Sequence, residues 1–315
     1  MAEKTYKAAI IGCGNIASLY DTQDSGQVST HAGAYTSHPR FSLVSACDID
    51  SKRLSDFGKR WNVSALYKDM EKMLSEMRPE VVSICTPTQL HYDHLLVAVK
   101  YVPKAIICEK PLSTDPVQAR YIVETCEKKS IPLFVNYVRR WSGPIHRLKD
   151  EIASGRFGKP VRVVGAYSKG LFHTGSHMID MLDYFFGKPR FKRLISEKNF
   201  PFNGDASPSF SIEYEKGPEA CLFSYDFKNF ETFQADLIFE RSMVRIEDFA
   251  RKITYYSISG DKSICPAQTI EGMDNFFTNM LDNVVGAIEN GKKPECGGRE
   301  ALETIVLCDQ IKHAL

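Results

Sequence analysis

Short apolar runs rich in β-branched residues alternate with stretches of helical character along the first 136 residues. The runs are KAAIIG (7–12), FSLVSAC (41–47), NVSAL (62–66), EVVSIC (80–85), KAIICE (104–109) and IPLFVNY (131–137). Helical stretches such as SKRLSDFGKRW, KDMEKMLSEM and DPVQARYIVETCEKK lie between them. This alternation is typical of βαβ units, so it predicts an α/β fold whose N-terminal domain is a doubly wound parallel sheet.

Beyond Arg140 the pattern changes. A helix at about 142–154, the strand VRVVGAYSKG and the helix GSHMIDMLDYFFG come first. The runs RFKRLIS, SFSIEYE, EACLFSYDF, TFQADLIFE, SMVRIED and KITYYSIS then follow at hairpin spacing, and helices at about 272–290 and 299–314 close the chain. The pattern predicts a C-terminal α+β domain with a large, mainly antiparallel open sheet. We therefore expect domains at 1–138 and 139–315, with the last helix a candidate to pack back on the first domain.

Composition narrows the class of protein. The 315 residues include 40 basic and 39 acidic ones, without the basic block expected of a nucleic-acid binder. The first apolar run is too short for a signal-peptide core, and no run approaches a membrane span, so we expect a cytosolic protein without membrane or nucleic-acid partners. The nine cysteines form no C-x-x-C pair and fit reduced, buried thiols.

A glycine-rich turn follows the first predicted strand. Gly12-Cys13-Gly14-Asn15-Ile16-Ala17 matches the G-x-G-x-x-G/A pattern between a strand and a predicted helix, where such glycines approach a dinucleotide pyrophosphate. Asp48 ends the second run and would accept a hydrogen bond from the adenosine ribose, favouring NAD, although nearby Arg53 leaves NADP as the alternative. Asp48 lies beyond the usual spacing of roughly 20 residues, and we assign the excess to a polar, loop-like insertion at 18–30. An ordinary βαβ turn that binds no nucleotide is the competing interpretation.

Further motifs occur in a fixed order along the chain. They are Thr86-Pro87-Thr88 with His91, then Glu109-Lys110-Pro111, then FVNYVRRW (134–141), and finally Gly175-x-His177-x-x-Asp180. With the glycine turn, this series resembles the Gfo/Idh/MocA family, named for glucose–fructose oxidoreductase and inositol dehydrogenase. The resemblance runs from Lys7 to about Gly187 and implies a Rossmann domain followed by a substrate domain. Short-chain dehydrogenases are the rival class, but their Tyr-x-x-x-Lys occurs only as Tyr184 to Lys188, interrupted by Gly187.

The resemblance implies two catalytic residues. Oxidation of a secondary alcohol needs a hydride acceptor, a base for the hydroxyl proton and a cation near the developing alkoxide. Lys110 follows the carboxyl end of a parallel strand and would supply the cation; a surface lysine paired with Glu109 is the alternative. His177 would be the base, because it falls in the first turn of a helix that begins near Ser176, where the helix dipole favours neutral imidazole. A structural histidine beside a helix cap is the competing interpretation.

The remaining site residues surround these two. Expected cofactor contacts are Gly12, Gly14, Asn15, Ile16, Asp48, Thr86, Pro87, His91, Glu109, Lys110 and Asn136. Expected substrate contacts are His173, Asp180, Tyr184 and Arg139. Structural pairing of Arg139 and Arg140 at the domain crossover explains those two residues equally well.

One position departs from the family pattern. The family usually has an aspartate four residues before its histidine, and here that position is His173, which leaves the mechanism and the substrate open. His173, His177 and Asp180 have a spacing that could hold a metal in a continuous helix, but Gly175 and the predicted helix start at Ser176 fall between the histidines, so we expect no metal.

These features predict an NAD(P)-dependent dehydrogenase or reductase. Hydride would pass between nicotinamide and a CH–OH or ketone carbon of a sugar, cyclitol or nucleotide-sugar. A catalytically inactive dinucleotide-binding sensor of the same fold is the second hypothesis, and His173 is its only support. The open sheet predicts a homodimer or homotetramer formed through its uncovered face.

Overall fold

The computed structural model describes residues 4–21 and 28–315 of the chain. These divide into two compact units, Met1–Val138 with Asn275–Leu302, and Arg139–Asp274 with Glu303–Leu315. The first division coincides with the boundary expected at 138/139. Residues Asn275–Leu302, however, group with the first unit and not with the C-terminal domain to which the sequence assigned them. In the described part of the chain, no helix is long and apolar enough to cross a membrane.

The first unit contains a six-stranded parallel sheet, as predicted. Its strands are β1 (Tyr6–Ile11), β2 (Phe41–Cys47), β3 (Leu66–Tyr67), β4 (Val81–Ile84), β5 (Ala105–Cys108) and β6 (Leu133–Val135). Their order is β3-β2-β1-β4-β5-β6, and each neighbouring pair is parallel. Strands β4 and β5 are buried at every position, which explains why they appear in the sequence as continuous apolar runs. The predicted doubly wound fold is confirmed.

The helices of the first unit are α1 (His31–Ser37), α2 (Ser51–Trp61), α3 (Met70–Met77), α4 (His91–Lys100) and α5 (Pro116–Lys128), with α8 (Phe276–Asn290) later in the chain. Side chains cap the N-termini of α1, α2, α3 and α5, whereas α4 and α8 begin without a side-chain cap. The Asp50 carboxylate accepts the Lys52 and Arg53 N–H groups at the start of α2, and Asp115 does the same for Val117 at the start of α5. The sequence analysis missed α1 and α4.

The predicted helix directly after the glycine turn is wrong. Asn15–Leu19 form a single π-helical turn, and the first α-helix, α1, begins only at His31, where the Thr30 side chain accepts the Gly33 N–H. The predicted polar insertion at 18–30 therefore separates the turn from its helix. Its central part, 22–27, lies outside the described residues.

The second unit is built on an eight-stranded sheet. Its strands are β7 (Pro160–Tyr167), β8 (Pro189–Asn199), β9 (Pro208–Tyr214), β10 (Glu219–Ser224), β11 (Phe233–Phe239), β12 (Ser242–Glu247), β13 (Lys252–Ile258) and β14 (Ile264–Glu271). Their order is β14-β13-β12-β11-β7-β10-β9-β8. The pair β7–β10 is parallel and the other pairs are antiparallel, so the predicted mainly antiparallel sheet is confirmed. Strand β14 was not predicted.

Two helices of the second unit carry or support candidate site residues. They are α6 (Gly143–Ala153) and α7 (Ser176–Phe186), and a π-helical segment, Gly170–Gly175, precedes α7. Gly175 has right-handed helical angles, φ −57° and ψ −39°, so this segment runs directly into α7. The expectation that Gly175 separates His173 from the helix is therefore wrong. The last helix of the chain is α9 (Gly298–His313).

Candidate functional site

Four candidate residues follow the carboxyl ends of neighbouring strands in the first unit. Gly12 follows β1, Asp48 follows β2, Thr86 lies two residues beyond β4, and Glu109 follows β5. Because the order is β2-β1-β4-β5 and all four strands are parallel, these residues lie along one edge of the sheet. The strand order reverses between β1 and β4, and ligands of open α/β sheets bind at such a switch point.

The glycine turn fits a ligand that approaches the backbone closely. Gly12 has φ +89°, and a Cβ there would lie 2.8 Å from the Cys85 carbonyl carbon, so only glycine fits between β1 and β4. A Cβ built on Gly14 would meet nothing within 4 Å, because Gly14 borders open space. The turn is held from behind, since the Gly12 N–H donates to the Cys47 carbonyl.

Asp48 is buried and bonded to this turn. One carboxylate oxygen accepts the Cys13 N–H at 2.8 Å, and the other accepts the Asp50 N–H at 2.9 Å. The Arg53 guanidinium lies 3.4 Å from the first oxygen. Asp48 therefore supports the glycine turn in addition to its predicted ribose contact, and Arg53 offsets part of its charge.

A cavity of about 730 Å³ opens along this edge. Of the predicted cofactor contacts, Gly12, Gly14, Asn15, Ile16, Asp48, Thr86 and Pro87 line it, whereas His91, Glu109, Lys110 and Asn136 do not. Ile49, Arg53, Lys68, Met70, Leu90 and His94 also line it, and the sequence analysis considered only Arg53 among them. The exposed fraction of Ile49, 84%, is unusual for an apolar residue, and its position one residue after the acidic strand end is the signal that could have identified it.

His91 joins the two loops that follow β4 and β5. One ring nitrogen lies 2.8 Å from the Thr86 carbonyl oxygen and the other 2.8 Å from the Pro111 carbonyl oxygen. Burial lowers the pKa of His91, although both carbonyl contacts oppose that effect. His91 therefore supports the positions of Thr86 and Pro111 without lining the cavity.

Glu109 and Asn136 are bonded to each other. The Asn136 amide donates to Glu109 Oε1 at 2.6 Å, and His31 Nε2 lies 2.9 Å from the same oxygen. Burial raises the pKa of Glu109, but the His31 and Asn136 bonds and the Lys110 charge outweigh burial and bring it below its ordinary value. Glu109 is therefore a buried carboxylate. The adjacent Lys110–Pro111 peptide bond is cis.

In the second unit, His177 occupies the first turn of α7, as predicted. The helix begins at Ser176, whose hydroxyl donates to the Phe172 carbonyl at 2.7 Å. The His177 side chain is half-buried. Because the Gly170–Gly175 segment continues into α7, His177 does not lie at a free helix N-terminus, and the dipole effect expected from the sequence does not apply there.

Asp180 and Tyr184 both pack against Arg140. Arg140 Nε lies 2.9 and 3.0 Å from the two Asp180 carboxylate oxygens, and Asp180 is 1% exposed. The Arg140 guanidinium lies 5.0 Å from the centre of the Tyr184 ring, and the Tyr184 hydroxyl lies 3.0 Å from His146 Nδ1. Arg140 thus has the structural pairing that the sequence analysis left open.

Arg139 is also buried. Its Nη2 donates to the Phe249 carbonyl at 3.1 Å, and its guanidinium lies 3.9 Å from the centre of the Phe233 ring. Burial lowers the pKa of Arg139 to about 9. Its described contacts lie within the second unit.

His173 is the exposed member of the predicted set. Its ring centre lies 5.6 Å from that of Phe202, and its backbone N–H donates to the Asp205 carboxylate at 2.8 Å. Over residues 4–21 and 28–315, no three His, Cys, Asp or Glu side chains are grouped so that they could hold a metal ion.

A doubly wound sheet, a glycine turn at its switch point and an acidic second strand end define a dinucleotide-binding oxidoreductase of the Rossmann type. Residues 6–137 match the family model described as "Oxidoreductase family, NAD-binding Rossmann fold", GFO_IDH_MocA. The resemblance to the Gfo/Idh/MocA family that the sequence predicted is therefore confirmed over residues 6–137.

Several curated relatives are named as dehydrogenases of a sugar or a cyclitol. A D-apiose dehydrogenase of Paraburkholderia graminis is 23% identical over 97% of this chain and 86% of its own length. A myo-inositol 2-dehydrogenase of Thermotoga maritima is 28% identical, but the match covers only 38% of this chain and 35% of that protein.

Solved structures have the same fold. The WlbA dehydrogenase of Bordetella pertussis, in complex with NADH and UDP-GlcNAcA, matches with a TM-score of 0.80 at 18% identity over 100% of this chain and 96% of that one. A putative NADPH-dependent oxidoreductase of Desulfitobacterium hafniense matches with a TM-score of 0.85 at 17% identity, over the same shares.

Proposed function

We propose that this protein is an NAD-dependent dehydrogenase or reductase of a CH–OH or ketone carbon in a sugar, cyclitol or nucleotide-sugar. In this proposal residues 1–138 bind the cofactor and 139–315 supply the substrate contacts. The main observation behind this proposal is the cavity at the switch point of the parallel sheet, in which strand β5 is followed by Glu109-Lys110-Pro111. The relatives named for D-apiose and myo-inositol support the substrate class.

The residues around the cavity fit NAD. Open space beside Gly14 leaves room for a pyrophosphate, and exposed Ile49 offers an apolar surface to an adenine ring. Asp48 would accept a ribose hydroxyl and repel a 2′-phosphate, which favours NAD over NADP. When bound, NAD exchanges a hydride with the substrate carbon.

Lys110 would polarise the substrate oxygen. It directly follows Glu109 at the carboxyl edge of the sheet, and its charge contributes to the low pKa of Glu109. An ammonium group near the oxygen that gains negative charge lowers the barrier to alcohol oxidation and, in reverse, to ketone reduction.

His177 would move the hydroxyl proton. A neutral imidazole accepts the proton from an alcohol, and an imidazolium returns it to the oxygen of a ketone.

Four residues of the second unit would contact the substrate to different extents. His173 is exposed and its ring is tilted by 43° against that of Phe202, so it would meet substrate directly. The Asp180, Tyr184 and Arg139 side chains are buried. Both Asp180 oxygens are engaged by Arg140, so Asp180 would support the α7 face more than it would bind a hydroxyl.

Replacement of Lys110 by methionine tests the proposal. Lys110→Met should lower kcat about 100-fold or more, because it removes the charge that stabilises the transition state, and should leave NAD affinity within about twofold. Lys104→Met is the matched control. Lys104 lies directly before β5 and pairs with Glu80 away from the cavity. Near-normal turnover by Lys110→Met would contradict the assignment.

A further inference from the structure

A buried chain of polar side chains leads to Glu109 from inside the first unit. The Tyr35 hydroxyl lies 2.7 Å from Ser83 Oγ, which lies 3.1 Å from His31 Nδ1. His31 Nε2 lies 2.9 Å from Glu109 Oε1, where the Asn136 amide also donates. The His31 side chain is 0% exposed and that of Glu109 11% exposed. The chain joins α1, β4 and the residues that follow β5 and β6.

The hydrogens of this chain fit one arrangement. The ionised Glu109 accepts, so His31 Nε2 carries a hydrogen and donates to it. Nδ1 then accepts the Ser83 hydroxyl hydrogen, and the Tyr35 hydroxyl donates to Ser83. The arrangement therefore directs one fixed N–H at Glu109.

Surrounding packing fixes the His31 ring. Its centre lies 5.0 Å from that of Phe277 in α8, with the rings nearly perpendicular. Thr30 caps α1 directly before His31, which fixes the backbone at that residue. The His31 ring therefore has little freedom to move, so the orientation of the Glu109 carboxylate depends on that of His31.

We propose that His31 is a positioning residue that holds the Glu109 carboxylate in one orientation beside Lys110, the next residue in the chain. This inference rests on the proposed function for the role of Lys110 in turnover. The inference gives helix α1 a role at the site, although the insertion separates this helix from the glycine turn. Without His31, a buried carboxylate loses a donor and protonation becomes favourable. Lys110 then loses a neighbouring negative charge.

The chemical reactivity of Lys110 gives a readout that needs no substrate. We would measure the pH dependence of acetylation at Lys110 by competitive labelling and peptide mass spectrometry, in the wild-type protein and in His31→Phe. The other titratable neighbours of Glu109 are His91, Cys85 and Cys108, and the His31→Phe variant retains all three. His31→Phe should label Lys110 about tenfold faster near neutral pH, which corresponds to a pKa lowered by about one unit.

His38 provides a matched control in the same helix region. It caps the end of α1, and its Nε2 lies 3.1 Å from the Asp282 carboxylate, so His38→Phe also removes a buried histidine paired with a carboxylate. We expect similar loss of thermal stability in both variants and unchanged Lys110 labelling in His38→Phe. His31→Gln restores an N–H donor near the Nε2 position and should return labelling towards wild type.

Turnover provides the second readout. With a sugar or cyclitol that the wild-type protein oxidises, His31→Phe should lower kcat about tenfold while KM for NAD changes less than about twofold. Lys110 labelling that is unchanged or slower in His31→Phe, or equally changed in His38→Phe, overturns the inference. If no substrate is found, the proposed function fails, and labelling still decides whether His31 controls Lys110.

Discussion

At the residue scale, two carboxylates on α7 differ in charge. Asp180 is paired with Arg140 through both oxygens and is therefore ionised. Asp183, almost one turn later, has a pKa well above its ordinary value, first because of burial and then because of the Asp180 charge. The Tyr214 hydroxyl donates to Asp183 at 3.0 Å and only partly opposes this shift. Burial and the Asp180 charge therefore favour the neutral form of Asp183.

Asparagine replacements should separate these two carboxylates. Asp180→Asn removes the carboxylate that pairs with buried Arg140 and should lower the free energy of unfolding by about 3 kcal/mol. Asp183→Asn replaces a carboxyl group whose neutral form is favoured with a neutral amide, and should change the free energy of unfolding by less than about 1 kcal/mol at neutral pH. Urea denaturation of both variants checks this, and equal losses would contradict the assigned charges.

The Asp183 shift also has a pH signature. Because the folded pKa exceeds the unfolded value of about 3.9, the folded state binds more protons between the two values, and stability falls as pH rises through that range. Asp183→Asn should remove this component, so its stability should decline less than wild type from about pH 4 towards neutrality.

Asp48 should control the choice between NAD and NADP. Asp48→Asn keeps one oxygen acceptor for the backbone and removes the charge that would repel a 2′-phosphate. We expect the ratio of NADP to NAD affinity to rise about tenfold, as titration calorimetry would measure. Arg53→Ala removes the adjacent cation and should lower the affinity for NADP. A higher NADP affinity in Arg53→Ala would show that the 2′-phosphate binds elsewhere.

The positions of site residues could be predicted from the sequence where they depend only on the spacing of neighbouring residues. Gly12, Gly14 and Asp48 follow strand ends, and their positions could be inferred from neighbouring residues alone. The bond between His31 and Glu109 could not, because it joins residues 78 positions apart whose meeting depends on the strand order. The pairing of Asp180 with Arg140 was missed for the same reason.

At the scale of elements, the glycine turn shows how an insertion misleads sequence analysis. The G-x-G-x-x-A spacing predicts a helix immediately after the turn, but the chain makes one π-helical turn and begins α1 at His31. Short helices were missed when their apolar pattern was weak, as in α1, HAGAYTS. Strand β2 and helix α2 were predicted with the same first and last residues that the structure has. An apolar run marks the limits of β2, and capping residues mark both ends of α2.

The segment before α7 depends on contacts with one loop. Asp205 accepts the N–H groups of Phe172 and His173, and a Cβ on Gly170 would lie 2.1 Å from an Asp205 oxygen. Gly170 also has φ +83°. Gly170→Ala should therefore lower the free energy of unfolding by about 3 kcal/mol or more, from backbone strain and this clash together.

Gly204→Ala separates the two causes. Gly204 has the same φ, +83°, but a Cβ there would meet nothing within 4 Å. Its alanine variant should lose only about 1–2 kcal/mol. Chemical denaturation compares the two, and equal losses would mean that the contact with Asp205 contributes nothing.

At the scale of the whole molecule, the sheet of the second unit exposes apolar side chains. Val164 on β7 and Phe223 on β10 are 38% and 37% exposed, and these strands are neighbours. Such a face is typical of subunit contacts. We expect light scattering to show a dimer or tetramer, and Val164→Lys to shift it towards monomer. A wild-type monomer at micromolar concentration would reject this expectation.

The domain limits were predictable only in part. The change in pattern after Arg140 marks the first division, because parallel and antiparallel strands differ in periodicity and in the length of their connections. Nothing local in Asn275–Leu302 indicates that it groups with the first unit. There α8 packs beside α1, and Val135 N–H donates to the Cys296 carbonyl, contacts made by residues far apart in sequence.

The central claim is that this chain catalyses a nicotinamide-dependent reaction on a sugar or cyclitol. The most direct measurement is the rate of NAD reduction by the purified protein across a panel of aldoses, glycosides, nucleotide-sugars and inositols, together with the NAD dissociation constant. We predict saturable turnover with at least one member of the panel. Tight binding of NAD without turnover of any member would contradict the claim and indicate a protein that binds the dinucleotide without catalysis.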